Sequence, residues 1–194
     1  MRAARPRSPV LLALLACALV PGLGGCIKRP PVARLPRPTD IGVAYVADSP
    51  FQKQLPGAPR ELEGEVESVL RTRNLVGRAP PSDPASAGLV RLRDSLGRRR
   101  AAERLLPAPA LHLLVEMQPS FYSQLSGRYK WNVYVKLSVW ARGDPGSALE
   151  DSFEAPAFLL HDHEREAEAM ADVAGTIARR AGLLLDTYFA GQPR

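Results

Sequence analysis

Trp131-Asn132-Val133-Tyr134-Val135-Lys136-Leu137-Ser138-Val139-Trp140 sets Trp131, Val133, Val135, Leu137 and Val139 in strict alternation with the residues between them. A period of two belongs to a β-strand, whose successive side chains leave opposite faces. Working outward, Leu111, Leu113, Val115 and Met117 alternate with His112, Leu114, Glu116 and Gln118, which predicts a strand with one face more buried. Between the two, Pro119 to Arg128 holds Ser120, Ser123, Gln124, Ser126 and Gly127 and reads as a loop or a ragged hairpin end. After them, Gly143-Asp144-Pro145-Gly146 is a turn, and Ala148 to Leu160 offers a returning strand. Pro156 weakens that strand, because proline cannot donate to a ladder. The three strands form a meander.

The elements on either side give the sheet its cover. Ile41 to Val46 is short, β-branched and apolar, as suits a strand buried on both faces. From Arg60 to Arg73, Leu62, Val66, Val69 and Leu70 recur at helical spacing. Leu75-Val76 begins a short strand, and residues 85 to 106 form a second helical stretch with Leu89, Leu92, Leu96, Ala102 and Leu105 or Leu106 on its apolar side. Gly97 is the point at which it would divide, since glycine costs about 1 kcal/mol inside a helix. The end is helical from His163 to Phe189, with Met170, Val173, Ile177, Ala181, Leu184, Leu185 and Tyr188 as its stripe. This order predicts an α+β two-layer sandwich, a mixed sheet of about four to five strands with helices on one face and a long C-terminal helix.

The start of the chain speaks of address. Arg2, Arg5 and Arg7 come first, without an acid, and an apolar run of about a dozen residues follows from Pro9 to Val20. Crossing a bilayer takes ~20 such residues, so the run is a signal-peptide core. Pro21 and Gly22 break it, and Leu23-Gly24-Gly25-Cys26 follows. This tetrapeptide resembles the lipobox of bacterial lipoproteins. The resemblance implies cleavage between Gly25 and Cys26, and diacylglycerol on the Cys26 sulfur. Leu14-Leu15-Ala16-Cys17 reads in the same way but leaves too short an apolar run before it. The expected division is a signal at 1–25, a proline-rich tether at 26–39 and a single periplasmic domain at 40–194. Acyl chains, at ~0.8 kcal/mol per buried CH2, make the membrane a partner through Cys26. Ile27 after the cysteine, where Asp would retain a lipoprotein in the inner membrane, favours the outer membrane facing the periplasm. Cys17 leaves with the signal and Cys26 carries lipid, so neither of the two cysteines is left for a disulfide.

Loss of Arg2, Arg5 and Arg7 takes the formal net charge from +6 to +3. With export expected, nucleic acid is excluded as a partner. The charge is segmental. Arg91, Arg93, Arg98, Arg99, Arg100 and Arg104 crowd residues 91 to 104, and seven acids occupy residues 150 to 168. Arg98, Arg99 and Arg100 are the candidate electrostatic surface, for phosphate, anionic lipid or glycan, against the plainer reading of a solvated helix face.

Catalytic signals are sparse. His161-Asp162-His163-Glu164 is the one cluster with ligand chemistry. A structural zinc site takes four ligands, however, and only His112 remains as a third histidine. Acids at that point also suit the start of a helix. Gly-x-Ser-x-Gly, a phosphate-binding glycine loop and a metalloprotease helix are all missing, so neither an enzyme nor a cofactor is expected. Aromatic residues concentrate near the central strand, where Tyr134 and Trp140 share the face opposite Trp131 and are the candidate partner-binding residues.

The order strand, helix, short strand, helix, meander, long helix resembles the periplasmic N-terminal domain of the Tol propeller protein. It also resembles the curli-secretion channel lipoprotein and the lipoproteins that activate penicillin-binding proteins. The lipopolysaccharide-assembly lipoprotein has a similar layout. The resemblance implies a non-enzymatic docking or accessory subunit of an envelope assembly, with a protein partner. The alternatives are lipid or lipopolysaccharide binding and, third, a small metal-assisted hydrolase at His161 and His163.

Overall fold

The computed structural model describes residues 34–48, 58–80, 88–89, 91–125, 127–160 and 166–191, all within one compact unit spanning Pro31–Arg194. Strand β1 is Thr39–Ala47, helix α1 Arg60–Arg71, β2 Leu75–Arg78, α2 Ser95–Leu105 and β3 Leu111–Leu125. Then come β4 Arg128–Ala141, a 3-10 turn at Pro145–Ser147, β5 Leu149–Leu159, and helices α3 Glu166–Asp172 and α4 Ala174–Gly191. The sheet order is β2-β1-β3-β4-β5. β1 runs parallel to β2 and β3, and the meander β3-β4-β5 is antiparallel. This is the expected α+β fold with a mixed five-stranded sheet.

Period two sorts the sheet into two faces. Ile41 and Val43, Leu113 and Val115, and Val133, Leu137 and Val139 point to one side, where they meet α1, α3 and α4 in a single core. Each such aliphatic side chain contributes roughly 1.5–3 kcal/mol on burial. Leu62, Val66 and Leu70 of α1, at helical spacing, fill that core beside Ile177, Ala181 and Leu185 of α4. The two helices approach closely at Gly182, where a Cβ would lie 2.8 Å from Nη2 of Arg73. Arg73 is buried there and binds Asp186 through two nitrogens at 3.0 and 2.7 Å.

The opposite face is not bare. Ala44, Val46, Leu114 and Trp140 form a second buried cluster with Leu89 and with Ala102 of α2. Helix α2 thus covers one half of the face that the two-layer expectation left open. The stretch expected as one helix over 85–106 is interrupted at 92–94, so the break falls before Gly97 and not at it. Asp94 caps the start of α2 by accepting from the Gly97 amide, and a Cβ at Gly97 would stand 2.5 Å from the Asp94 carboxylate. The glycine makes room for the cap. The terminal helix is broken by a turn at Val173, whose carbonyl starts α4 by accepting from the amides of Thr176 and Ile177.

Two prolines were misleading for a common reason. Pro119 lies inside β3, not in a loop, and pairs with Val133. The run 119–125 stays paired through a bulge between Phe121 and Ser123, which makes the hairpin arm longer than expected. β1 ends at Ala47 opposite Met117, so β3 is an edge from Gln118 onward and tolerates a proline. Pro156 likewise sits within β5, the outer strand, opposite Asn132. Its nitrogen faces outward, and the next outward amide, that of Phe158, donates to the Asp172 carboxylate at 3.3 Å.

The chain enters the fold beside α1 and β2. The Leu35 amide donates to the Arg73 carbonyl, and the Asn74 side-chain amide donates to the Leu35 carbonyl at 2.6 Å. Asn74 has φ +58°, a left-handed conformation that asparagine tolerates better than most residues. Leu35 packs against the main core.

Candidate binding surfaces at the two ends of the sheet

Arg98 and Arg99 are each only 7% exposed, so they do not form a solvated face. Arg98 donates to Glu116 at 2.9 Å, to Asp48 at 3.2 Å and to the Leu92 carbonyl at 2.6 Å. Ser95 donates to the other oxygen of Glu116. Arg99 pairs with Glu150, which Lys136 also meets at 3.0 Å. Burial works to raise the pKa of Glu150, but Lys136 and then Arg99 outweigh it and hold the carboxyl below its usual range. These pairs rivet α2 to the sheet. Of the three consecutive arginines only Arg100 is exposed.

Trp140 is 1% exposed and belongs to the second core. Its ring stacks on that of His112 at 5.2 Å, and its Nε1 donates to Glu103. His112 is buried as well, and Gly42 gives it room, since a Cβ there would lie 2.7 Å from Nδ1. Burial pushes the His112 pKa below its ordinary value. Glu103 acts to raise it, Arg142 to lower it and the Pro109 carbonyl to raise it, in falling order. Between that depressed value and about pH 6.5 the unfolded chain takes up a proton that the folded chain refuses. The domain will therefore lose stability on acidification below about pH 6.5, and His112→Phe will flatten the slope. Urea midpoints from about pH 5 to 8 check this.

Strand register defines two ends of the domain. Thr39 pairs with Leu75, Ile41 with Leu111, Leu111 with Ala141 and Val139 with Leu149. These residues mark the end at which the chain enters. Here the outer side of α2 and the Arg142–Ser147 turn enclose a concavity of about 760 Å³ lined by Arg100, Arg104 and Arg142. Nη1 of Arg142 donates to the carbonyls of Pro107 and Ala108 at 3.0 and 3.1 Å, which fixes the guanidinium without neutralising it. Glu103, the one acid in the lining, has both oxygens engaged, by the Gly143 amide and by Trp140.

The other end holds the β3–β4 hairpin tip and the far part of the second face. Tyr134, 48% exposed, stands there with Phe158 and Tyr122, both more exposed still. Lys130 lies over the Tyr122 ring at 4.4 Å. Beyond Trp131, Phe121 continues the opposite face, edge-on to that indole at 5.5 Å and half exposed. A groove of about 460 Å³ runs from Ser95 to Tyr134 and Ser152 along the second face. Its serine–carboxylate contact, Ser95 to Glu116, has no histidine beside it among the described residues, and Arg98 already holds that carboxylate.

Of the residues singled out from sequence, Tyr134 and Arg100 are on the surface and Trp140, Arg98 and Arg99 are inside. Gly25, Cys26, His161 and His163 lie outside the described residues. Among the described residues no cluster of His, Cys, Asp and Glu could hold a metal, and no helix is long and apolar enough to cross a membrane. Arg142 and Phe158 were missed, although Phe158 continues an alternation with Ser152, Glu154 and Pro156 that marks the outward face of β5.

No protein-family model matches the chain, and no curated protein matches it. Among solved structures it is similar to PelC of Paraburkholderia phytofirmans, crystallised as a dodecamer, at 12% identity over 81% of this chain and 91% of that one, with a TM-score of 0.43. It is similar to the hypothetical protein CT253 of Chlamydia trachomatis at 11% identity, over 79% of this chain and 96% of that one, with a TM-score of 0.42. It is also similar to the lipoprotein GNA1162 of Neisseria meningitidis at 10% identity, over 79% of this chain and 100% of that one, with a TM-score of 0.40.

Proposed function

We propose that the chain is a lipid-anchored, non-enzymatic envelope protein that holds a docking surface away from the bilayer for a protein partner. The observation that carries this reading is the polarity of the sheet. The chain enters at one end, and the exposed aromatic side chains of Tyr122, Tyr134 and Phe158 stand at the other. With Cys26 acylated, the seven residues 27 to 33 separate the lipid from Arg34, which bonds Asn74. At ~3.1 Å per residue in an extended proline-rich chain they span about 22 Å. The entry end then faces the membrane and the aromatic end faces the partner. Ile27 after the cysteine favours the outer membrane.

Aromatic anchors carry most of the energy of such interfaces. Crosslinking in intact cells, followed by pulldown of the full chain, will recover a defined set of envelope proteins. Tyr134→Ala with Phe158→Ala will reduce that recovery by roughly 30-fold, the equivalent of a hot-spot loss of about 2 kcal/mol. Neither side chain supports the core, so circular dichroism of the double variant should match the wild type. Undiminished recovery from that variant would remove the aromatic end as the docking surface.

A further inference from the structure

We propose that the Arg100–Arg104–Arg142 concavity is a seat for the phosphate headgroups of the anionic bilayer in which the chain is anchored. The inference deepens the proposed function and rests on its anchoring at Cys26. Three observations converge on it.

The first is the contrast among the arginines. Arg73, Arg98, Arg99 and Arg180 each have a carboxylate partner. Among the described residues Arg100 and Arg104 have none, and Arg142 is held by neutral carbonyls. Arg100 and Arg104 are four residues apart on α2 and share its outer face. The second is the environment. Glu103 is the only carboxylate lining the concavity, and Asp94 and Asp144 are the acids nearest to it in sequence. Glu103 and Asp94 accept bonds from the Gly143 and Gly97 amides, which occupy an oxygen of each but leave its charge, and the lining itself holds three arginines and one glutamate. An arginine fork matches phosphate oxygens bidentately.

The third is position. The concavity is built from the segment before β3 and the β4–β5 turn, which lie at the end where β1 begins. Seven residues, 27 to 33, separate Cys26 from Arg34, and a proline-rich chain of that number reaches roughly 22 Å when extended. Surface potential decays over a Debye length of ~8 Å at physiological salt, so only this end of the domain can feel it. A basic side chain near an anionic surface raises partitioning about fivefold.

The test uses the processed, acylated chain in phosphatidylcholine vesicles and in two-to-one phosphatidylcholine–phosphatidylglycerol vesicles. Flotation with the neutral vesicles reports the acyl anchor alone. Hydrogen exchange of the amides at 97–107 and 142–147 reports the basic end. Exchange there should slow at least twofold in the anionic vesicles only. That slowing should vanish at about 1 M salt, where the Debye length is ~3 Å, and in Arg100→Glu/Arg104→Glu. Both arginines are exposed and have no ion-pair partner among the described residues, so the variant keeps its fold and still floats. Equal exchange in the two vesicle types, with the protein afloat in both, overturns the headgroup seat and leaves the anchor standing. Failure to float with neutral vesicles overturns the anchor instead. Flotation with anionic vesicles then decides the seat: dependence on Arg100 and Arg104 supports it, and independence or no flotation overturns it. Slowing by inorganic phosphate without vesicles, but none by anionic vesicles, would assign the concavity to a free anion and overturn the bilayer seat.

Discussion

Glu116→Ala will destabilise the domain by about 3–5 kcal/mol, because it leaves the buried Arg98 guanidinium without its buried counter-charge. Glu116 and Arg98 are both nearly sealed from water, and their contact is the point at which α2 meets β3. Asp48 remains as a second acceptor, but it is half exposed and sits farther off at 3.2 Å. The loss is chiefly the cost of a stranded charge, not the worth of the pair. Removing both charges will therefore cost far less than removing one. Glu116→Leu with Arg98→Met should recover most of the stability, as apolar replacement of a buried pair often does. Urea denaturation of the two single variants and the double gives the coupling directly. Additive losses would mean that the pair does not act as a unit.

Trp140→Ala will cost about 3–5 kcal/mol, the usual toll for emptying a buried aromatic site. The indole fills the second core between α2 and β3 and covers the His112 ring. Its loss also leaves Glu103 with the Gly143 amide as the sole partner of its carboxylate among the described residues. The variant will lose partner recovery in cells, and it will do so together with its denaturation midpoint. Tyr134→Ala separates the two effects, because Tyr134 is exposed and its removal leaves the core intact. A Trp140→Ala protein of unchanged midpoint would show that the second core contributes little.

The first face of the sheet was legible because a single period governs it. Trp131 to Trp140 shows strict alternation, and every odd position from Trp131 to Val139 is buried. Helix α1 was equally plain, since Leu62, Val66 and Leu70 fall on one stripe and are all buried. The second face was not legible. Period two says that His112, Leu114, Glu116 and Trp140 share a side, but it does not say what lies over them. The cover is α2, whose inward residues include two arginines, and no hydrophobicity pattern marks such a helix as buried. The hidden signal was pairing. Glu116 lies in a strand whose neighbours are otherwise apolar, and a carboxylate there needs a cation from another element. Reading Arg98 and Glu116 together would have turned the arginine run from a surface into a clasp. Pro119 and Pro156 hid strands because proline tells of an edge only when the neighbouring strand's length is known. The basic concavity was half visible, since Arg104 stood in the run while Arg142 lay at the end of the central strand, 38 positions later in the chain.

The outer strand of the meander has a consequence under the proposed anchoring. Anchored copies would be confined to a plane, where neighbours meet far more often than they do in free solution. An open strand edge in such a crowd is a template for fibre growth. Pro156 offers no amide to a newcomer, and Asp172 has already claimed that of Phe158. At the opposite margin β2 is only four residues long, too short to seed a ladder. The two outer margins of the sheet are thereby blunted, while β3 from Gln118 onward keeps an edge with no strand partner among the described residues.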